Sequence, residues 1–288
     1  MNPMHVMLVA AAIAVPDPPP SPAASASPCG QGGVAAVADR PGLGRTLTVN
    51  GSPCVVPKGE VVLEVGFRQE MTRAAAGVST LVTFPQPLLR WGVSAGDEIV
   101  VAPSLVYSQR SGANLGSAPF APAAGLQDAG LGFKRQLHDR RWLQDAVEIF
   151  VSVPTGYPSG AHGFSAGIPT YLVGYSLVAP LNSIVSLTTT QNVQWNAGTN
   201  AGGGPQGFFS YQPSFGFSFA VGTHGALFVQ DQITTPAGPA GGTSNRAFLG
   251  VQRTISSDVV LDAEYEMNLL PQPGFTQHAF GVGAAVRL

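Results

Sequence analysis

Charge is the first thing this sequence lacks. Of its 288 residues, 14 are Lys or Arg and 16 are Asp or Glu, so charged side chains make up 10% of the chain, against roughly a quarter in an ordinary soluble domain. A soluble surface needs charge to stay dispersed; a wall that faces lipid has little use for it. The charges present nearly cancel, at a net −2 and a pI near 6.2. Beyond the pairs Lys134-Arg135 and Arg140-Arg141 there is no basic cluster. Phosphate binding needs a basic surface, so nucleic acid is excluded as a partner.

Long apolar runs are missing as well. The chain is 44% hydrophobic with a mean hydropathy of +0.19, yet its longest apolar stretch is residues 6–15. A membrane-spanning helix needs about 18 apolar residues in succession. A chain that is apolar on average but without long runs is what a transmembrane barrel requires, because lumen-facing residues dilute lipid-facing ones one for one. The 36 Gly and 25 Pro favour turns over helices.

Catalytic signatures lack their setting. His138, His162, His224 and His278 fall in four separate segments. There is no Gly-x-Ser-x-Gly elbow on a strand-to-helix turn and no His-Glu-x-x-His helix. The run Gly202-Gly203-Gly204 does not stand between a strand and a helix, so it is no phosphate cradle. We expect no enzyme, no cofactor and no metal site.

Only two cysteines occur, Cys29 and Cys54, both ahead of the first strong strand. Three readings stand. A disulfide would close a loop of about 25 residues and stabilise by about 3 kcal/mol in the chain-entropy model. Lipid attachment at Cys29 is disfavoured by Pro28 and by the absence of Leu three residues earlier. The third reading is two unpaired thiols. Upstream, Met4 to Val15 has the apolar core of a secretory signal and Ala23-Ala24-Ser25-Ala26 offers small residues for cleavage, although no Lys or Arg precedes it. The expected organisation is a signal peptide at 1–26, a periplasmic arm at 27–58 and a barrel at 59–288.

What the sequence has in abundance is alternation. From Glu60 the dominant period is two: Val61, Leu63, Val65 and Phe67 share one face, while Glu60, Glu64 and Arg68 share the other. The pattern recurs over 145–153, 182–195, 209–221 and 259–269, and more weakly over 79–93, 98–109, 127–138, 168–178, 224–234, 243–254 and 275–288. Turn chemistry separates these segments, as at Ser94-Ala95-Gly96-Asp97. The total is about twelve strands, the even number expected of a bacterial barrel with both ends on the periplasmic side. A soluble sandwich also alternates. Strands of about 11 residues, however, match a tilted bilayer span, and an apolar row in nearly every strand is more than one closed core can absorb. The predicted fold is all-β: a closed antiparallel transmembrane β-barrel of about 12 strands with a short N-terminal arm.

If the apolar row faces lipid, the polar row faces the lumen. That places Glu60, Glu64, Arg68, Glu70, Glu98, Lys134, Glu148, Arg246, Asp262, Glu264, Glu266 and Arg287 inside, either lining a channel or pairing across it to hold the wall together. Phe84, Trp91, Tyr107, Trp142, Tyr171, Tyr175, Trp195 and Tyr265 are candidates for interfacial girdles.

The stretch from Gly125 through Asp128 and Leu131 to Lys134-Arg135, followed by Val153-Pro154-Thr155-Gly156, resembles the MetA-type outer-membrane proteins named for a phenol-degradation pathway. Members tend to show a Gly-x-x-Asp-x-x-Leu-x-x-Lys strand start, then a strand ending in Pro-Thr-Gly; here a hairpin turn at 137–143 lies between. The resemblance covers about 79–175 and is diffuse elsewhere. It implies an outer-membrane barrel transporter linked to aromatic or other small apolar compounds, and brings no catalytic residues. One departure is the C-terminal Leu288, where such barrels usually carry an aromatic residue for the insertion machinery. The expected protein is a monomeric channel in the outer membrane of a Gram-negative bacterium, partnered by lipid, a small solute and that machinery. The alternative is a non-conducting barrel that presents loops such as 112–125 and 196–206 at the surface.

Overall fold

The computed structural model describes residues 29, 34–38, 51–74, 77–113, 123–157, 164–165, 167–199, 205–238, 241–269 and 276–288. The expected signal peptide and His162 lie outside them. The period-two sequence becomes period-two backbone. Strand β1 is Val61–Ala74, β2 runs as Gly77–Phe84 and Leu88–Gly92, β3 as Asp97–Ala102 and Tyr107–Ala113, and β4 as Ala123–Leu126 and Ala129–Arg140. Next come β5 (Leu143–Val153), β6 (Thr170–Pro180), β7 (Val185–Thr199), β8 (Pro205–Val221), β9 (Gly225–Thr234), β10 (Ser244–Ser256), β11 (Val259–Asn268) and β12 (Thr276–Arg287). A short helix, α1, spans Val34–Val37 in the arm.

The fifteen hydrogen-bonded segments make twelve strands. Both pieces of β2 pair with β1, those of β3 with β2, and those of β4 with β3. The breaks fall at Pro85-Gln86-Pro87, at Pro103 to Val106 and at Gln127-Asp128, side by side in the wall. Proline has no N–H to give to a ladder. The gap is stitched instead by Gln86 N–H to Gly66 O at 3.0 Å and Gln127 N–H to Val106 O at 2.9 Å.

Every strand runs antiparallel to its sequence neighbour, and β1 pairs with β12 from Val62 and Arg287 to Arg73 and Thr276. The Leu288 N–H donates to Val61 O at 2.9 Å. Closure removes both free edges, which an open sheet of this size would have to protect. The start of β1 and the end of β12 therefore meet at one rim, called lower here, where connections are two to four residues long. Asn182 Oδ1 caps one of these turns by accepting from the Ile184 and Val185 N–H groups, each at 2.8 Å. Connections at the upper rim are mostly longer, reaching residues 154–169. Two segments expected as surface loops are partly strand: β3 extends to Ala113 and β4 starts at Ala123, while β7 reaches Thr199 and β8 starts at Pro205.

The barrel is inverted relative to a soluble protein. Leu131, Ile149, Val173, Phe209, Leu249 and Val251 stand exposed on the outside, whereas Arg90, Lys134, Glu64, Glu98 and Gln232 are among the largest fully buried side chains. Such an arrangement is costly in water and natural in lipid, where the outer wall meets hydrocarbon and the polar groups satisfy one another within.

Candidate functional site

The site is the lumen, and its composition follows from strand parity. On β1 the even residues Val62, Glu64, Gly66, Arg68 and Glu70 face in, and the same alternation carries inward Glu98 on β3, Lys134 on β4, Glu148 on β5, Arg246 on β10, and Asp262, Glu264 and Glu266 on β11. Glu60 and Arg287 meet at the lower rim, Oε2 to Nη1 at 3.1 Å. Exposed on the outer surface are Phe84, Trp91, Tyr107, Trp142, Tyr171 and Tyr265. Tyr175 is engaged with Asp145, its hydroxyl donating to Oδ2 at 2.8 Å, and Trp195 meets Phe209 edge-on with ring centroids 4.7 Å apart.

Sequence reasoning missed the residue that organises the lower half. Arg90 on β2 is fully buried. Its Nε and Nη2 donate to Glu98 Oε1 at 2.9 and 2.7 Å, and its Nη1 donates to Glu64 Oε1 at 3.1 Å. Glu98, Lys134 and Glu148 then stand directly opposite one another on β3, β4 and β5, opposite charges alternating across the sheet as stable cross-strand pairs do. The signal was available: Leu89 and Trp91 belong to the outward row, so Arg90 belongs inside, but Leu88 hides the alternation.

This belt grips the N-terminal arm. Glu98 Oε2 accepts from the Val56 N–H at 2.8 Å, and Arg90 Nη2 donates to Cys54 O at 3.4 Å. Below it, Val34, Ala38, Cys54 and Val56 pack with the inward-facing Val62, Val260 and Ala285, and the Val34 N–H donates to Ser257 O at 2.9 Å. Cys29 and Cys54 are joined by a disulfide with Cα atoms 5.4 Å apart. Gln136 Nε2 donates to Cys29 Sγ at 2.8 Å. The fit to the wall requires glycine at position 92, where a Cβ would lie 2.1 Å from Pro57 O and 2.3 Å from Val56 O. The described residues of the arm thus fill much of the lower end of the lumen.

Higher in the barrel, Glu266 joins two cations, Arg68 Nη1 at 2.7 Å and Arg246 Nη1 at 3.0 Å. Arg68 also holds Glu70 at 2.9 Å, and Arg246 Nη2 donates to Gln232 Oε1 at 3.3 Å. The wall of β7 to β9 differs in kind. Its inward polar residues are Ser186, Thr188, Thr190, Asn192 and Gln194, then Ser210, Gln212, Ser214 and Ser218, then Gln230 and Gln232, hydroxyls and amides without a formal charge, with Phe228 buried in the same inward row. They bond to one another, as in Gln230 Nε2 to Ser214 Oγ at 2.6 Å and Gln212 Nε2 to Gln194 Oε1 at 3.0 Å. Between this wall and the arm lies a cavity of about 220 Å³.

The two sequence stretches that carry the resemblance lock together. Asp128 Oδ1 accepts from the Gly156 N–H at 2.8 Å, Thr155 Oγ1 accepts from the Ala129 N–H at 2.8 Å, and Leu126 and Tyr157 exchange backbone bonds at 2.7 and 2.9 Å. Gly156 is needed for the approach, since a Cβ there would sit 2.5 Å from Leu126 O. The aspartate and the Pro-Thr-Gly turn together rebuild the ladder beside the break in β4.

Nothing in the described residues assembles a reaction centre. Two stretches do read Gly-x-Ser-x-Gly, around Ser94 and Ser165, but neither opens a helix. Ser94 closes the turn after β2, its hydroxyl donating to Asp97 Oδ2 at 2.7 Å, and Ser165 Oγ accepts from the Gly167 N–H at 3.2 Å. The described histidines bond to separate partners: His138 to Asp145, His224 to Thr223 and His278 to Tyr265. No group of three or more His, Cys, Asp or Glu that could hold a metal occurs among the described residues.

No family model matches the chain, and no curated protein matches it in sequence. Solved structures do resemble it. An outer-membrane channel from Pseudomonas putida F1 superposes with a TM-score of 0.64 at 11% identity, covering 81% of this chain and 97% of that one. The NanC porin, at 8% identity, covers 78% of this chain and 100% of its own with a TM-score of 0.48. The CymD monoaromatic hydrocarbon channel, also at 8%, covers 81% and 89% with a TM-score of 0.45. At such identities the likeness is one of fold: a closed twelve-stranded barrel similar to those of outer-membrane proteins.

Proposed function

We propose that this chain is a channel for small solutes in the outer membrane of a Gram-negative bacterium, with the lower rim in the periplasm. The observation that carries the proposal is the inversion of the wall, apolar outside and polar within, around a lumen that retains a cavity beside the arm. Long upper connections and short lower ones fit the same orientation. The resemblance to MetA-type proteins supplies the solute class, aromatic or other small apolar compounds. Export by the segment 1–26, insertion through the β12 end at Leu288, and action as a monomer complete the proposal. The test is conductance of purified, heat-modifiable protein in planar bilayers. We expect small, discrete current steps; persistent silence from folded protein overturns the channel.

A second reading has its own support. The arm occupies the lower end and the charges around it are paired, as in a barrel that anchors surface loops without conducting. Silent bilayers together with an intact gel shift select it.

A further inference from the structure

Solute choice in a narrow channel is set where the moving molecule has to give up its water. The cavity between the arm and the wall of β5 to β10 is the candidate for that place. Resting on the channel reading above, but in place of the apolar solute class taken there from the resemblance, we propose that this cavity is a selectivity site for small uncharged solutes that carry hydroxyl or amide groups, and that it excludes ions of both signs.

The lining carries the argument. Ser52 from the arm, Gln144 from β5, Ser186, Thr188 and Thr190 from β7, and Gln230 from β9 present hydrogen-bonding groups to the space, and α1 contributes small apolar side chains. None of the described lining residues is charged. An ion entering here loses hydration and meets no countercharge, which is costly in a partly dehydrated passage. A neutral polyhydroxy or amide-bearing solute exchanges its water bonds for bonds to Ser, Thr and Gln at nearly equal energy.

The charges of the lumen are kept off this space by the arm itself. The backbone at Cys54 turns its carbonyl to Arg90, while residues 51–54 line the cavity. Arg90 in turn is held by Glu98 and Glu64, so its charge is met on the far side. The neutral lining also continues upward along β7 and β8 through Asn192, Gln212 and Ser214, giving a hydrogen-bonding track away from the charge belt.

The experiment uses proteoliposomes of the full chain and tracer efflux of two matched pairs: arabinose against arabinonate, and glucose against glucosamine. We expect each neutral sugar to leave about tenfold or more faster than its charged partner, the penalty for carrying a bare charge through an uncharged constriction. Arabinonate matching arabinose, or glucosamine outpacing glucose, overturns the selectivity while leaving a channel in place. Silence for all four probes removes the channel reading along with it. The variant Thr188→Glu places a carboxylate in the cavity. It should slow both neutral sugars and reverse the order of glucose and glucosamine; an unchanged order overturns the site. The comparison on the unaltered protein decides the matter even where that variant fails to fold.

Discussion

The two halves of the wall solve the same problem by different means. From β1 to β5 and again on β10 and β11, the inward face is ionic: Arg90 with Glu98 and Glu64, Lys134 between Glu98 and Glu148, Glu266 between Arg68 and Arg246. Here β2 and β3 are broken at prolines, β4 beside them at Gln127-Asp128, and the arm is docked. From β7 to β9 the face is neutral, the strands run unbroken for up to 17 residues, and hydroxyls and amides bond to their neighbours. Ion pairs reach far and hold a foreign segment by its backbone; short neutral side chains bind only each other and leave room. The wall is therefore a clamp on one side and a passage on the other.

The comparison can be broken most severely at Arg90. Replacing it with Ala removes the guanidinium that Glu64 and Glu98 share, a loss of about 3–5 kcal/mol for a buried pair, and frees the arm at Cys54. We expect the temperature of the heat-modifiable transition to fall and conductance to rise; an unaltered current would mean the arm needs no clamp. Next in size is the double variant Cys29→Ser, Cys54→Ser, which should cost about 3 kcal/mol and produce noisier, larger currents that addition of a thiol reductant no longer changes. Gly92→Ala forces a Cβ against the arm backbone at Pro57 and should cost about 1–3 kcal/mol as an overpacked contact, read by the same thermal shift. Ser214→Ala, on the neutral side, removes partners of Gln230 and Thr190. It should cost about 1 kcal/mol or less and leave the arm in place, so limited proteolysis of residues 51–58 should match the unaltered protein.

Much of this architecture was legible because lipid and lumen impose opposite demands on adjacent residues. Strand β5 was expected over 145–153 and spans Leu143–Val153; β11 was expected over 259–269 and spans Val259–Asn268. The first strand was read only to Arg68 but continues to Ala74, since Gln69 and Arg73 put polar groups on the outward face as it climbs beyond the apolar band. The breaks in β2, β3 and β4 did not emerge as breaks: across that in β3 the alternation keeps its phase, with Val100, Ala102 and Ser108 inward, whereas in β2 the inward row shifts from Ser79 and Thr83 to Leu88 and Arg90, a change of parity that marks no boundary in the sequence. Inward charges could be named one by one, yet their partners could not: the Arg68–Glu266 pair joins residues 198 apart in the chain. The destination of the arm was beyond reach for a different reason. Its Ala- and Val-rich composition fits a lumen as well as any sheltered surface, and the groups that hold it are backbone N–H and C=O, which every sequence supplies.

The seam between β1 and β12 has a consequence for assembly. The arm enters the lumen only a few residues before Val61, the first residue of β1, while β12 is the strand of the barrel farthest from β1 in sequence. Those two strands zip the cylinder shut. A tether this short keeps the arm at the lower mouth even when β1 and β12 are apart, so their pairing closes the wall around it, much as a door closes over its own latch.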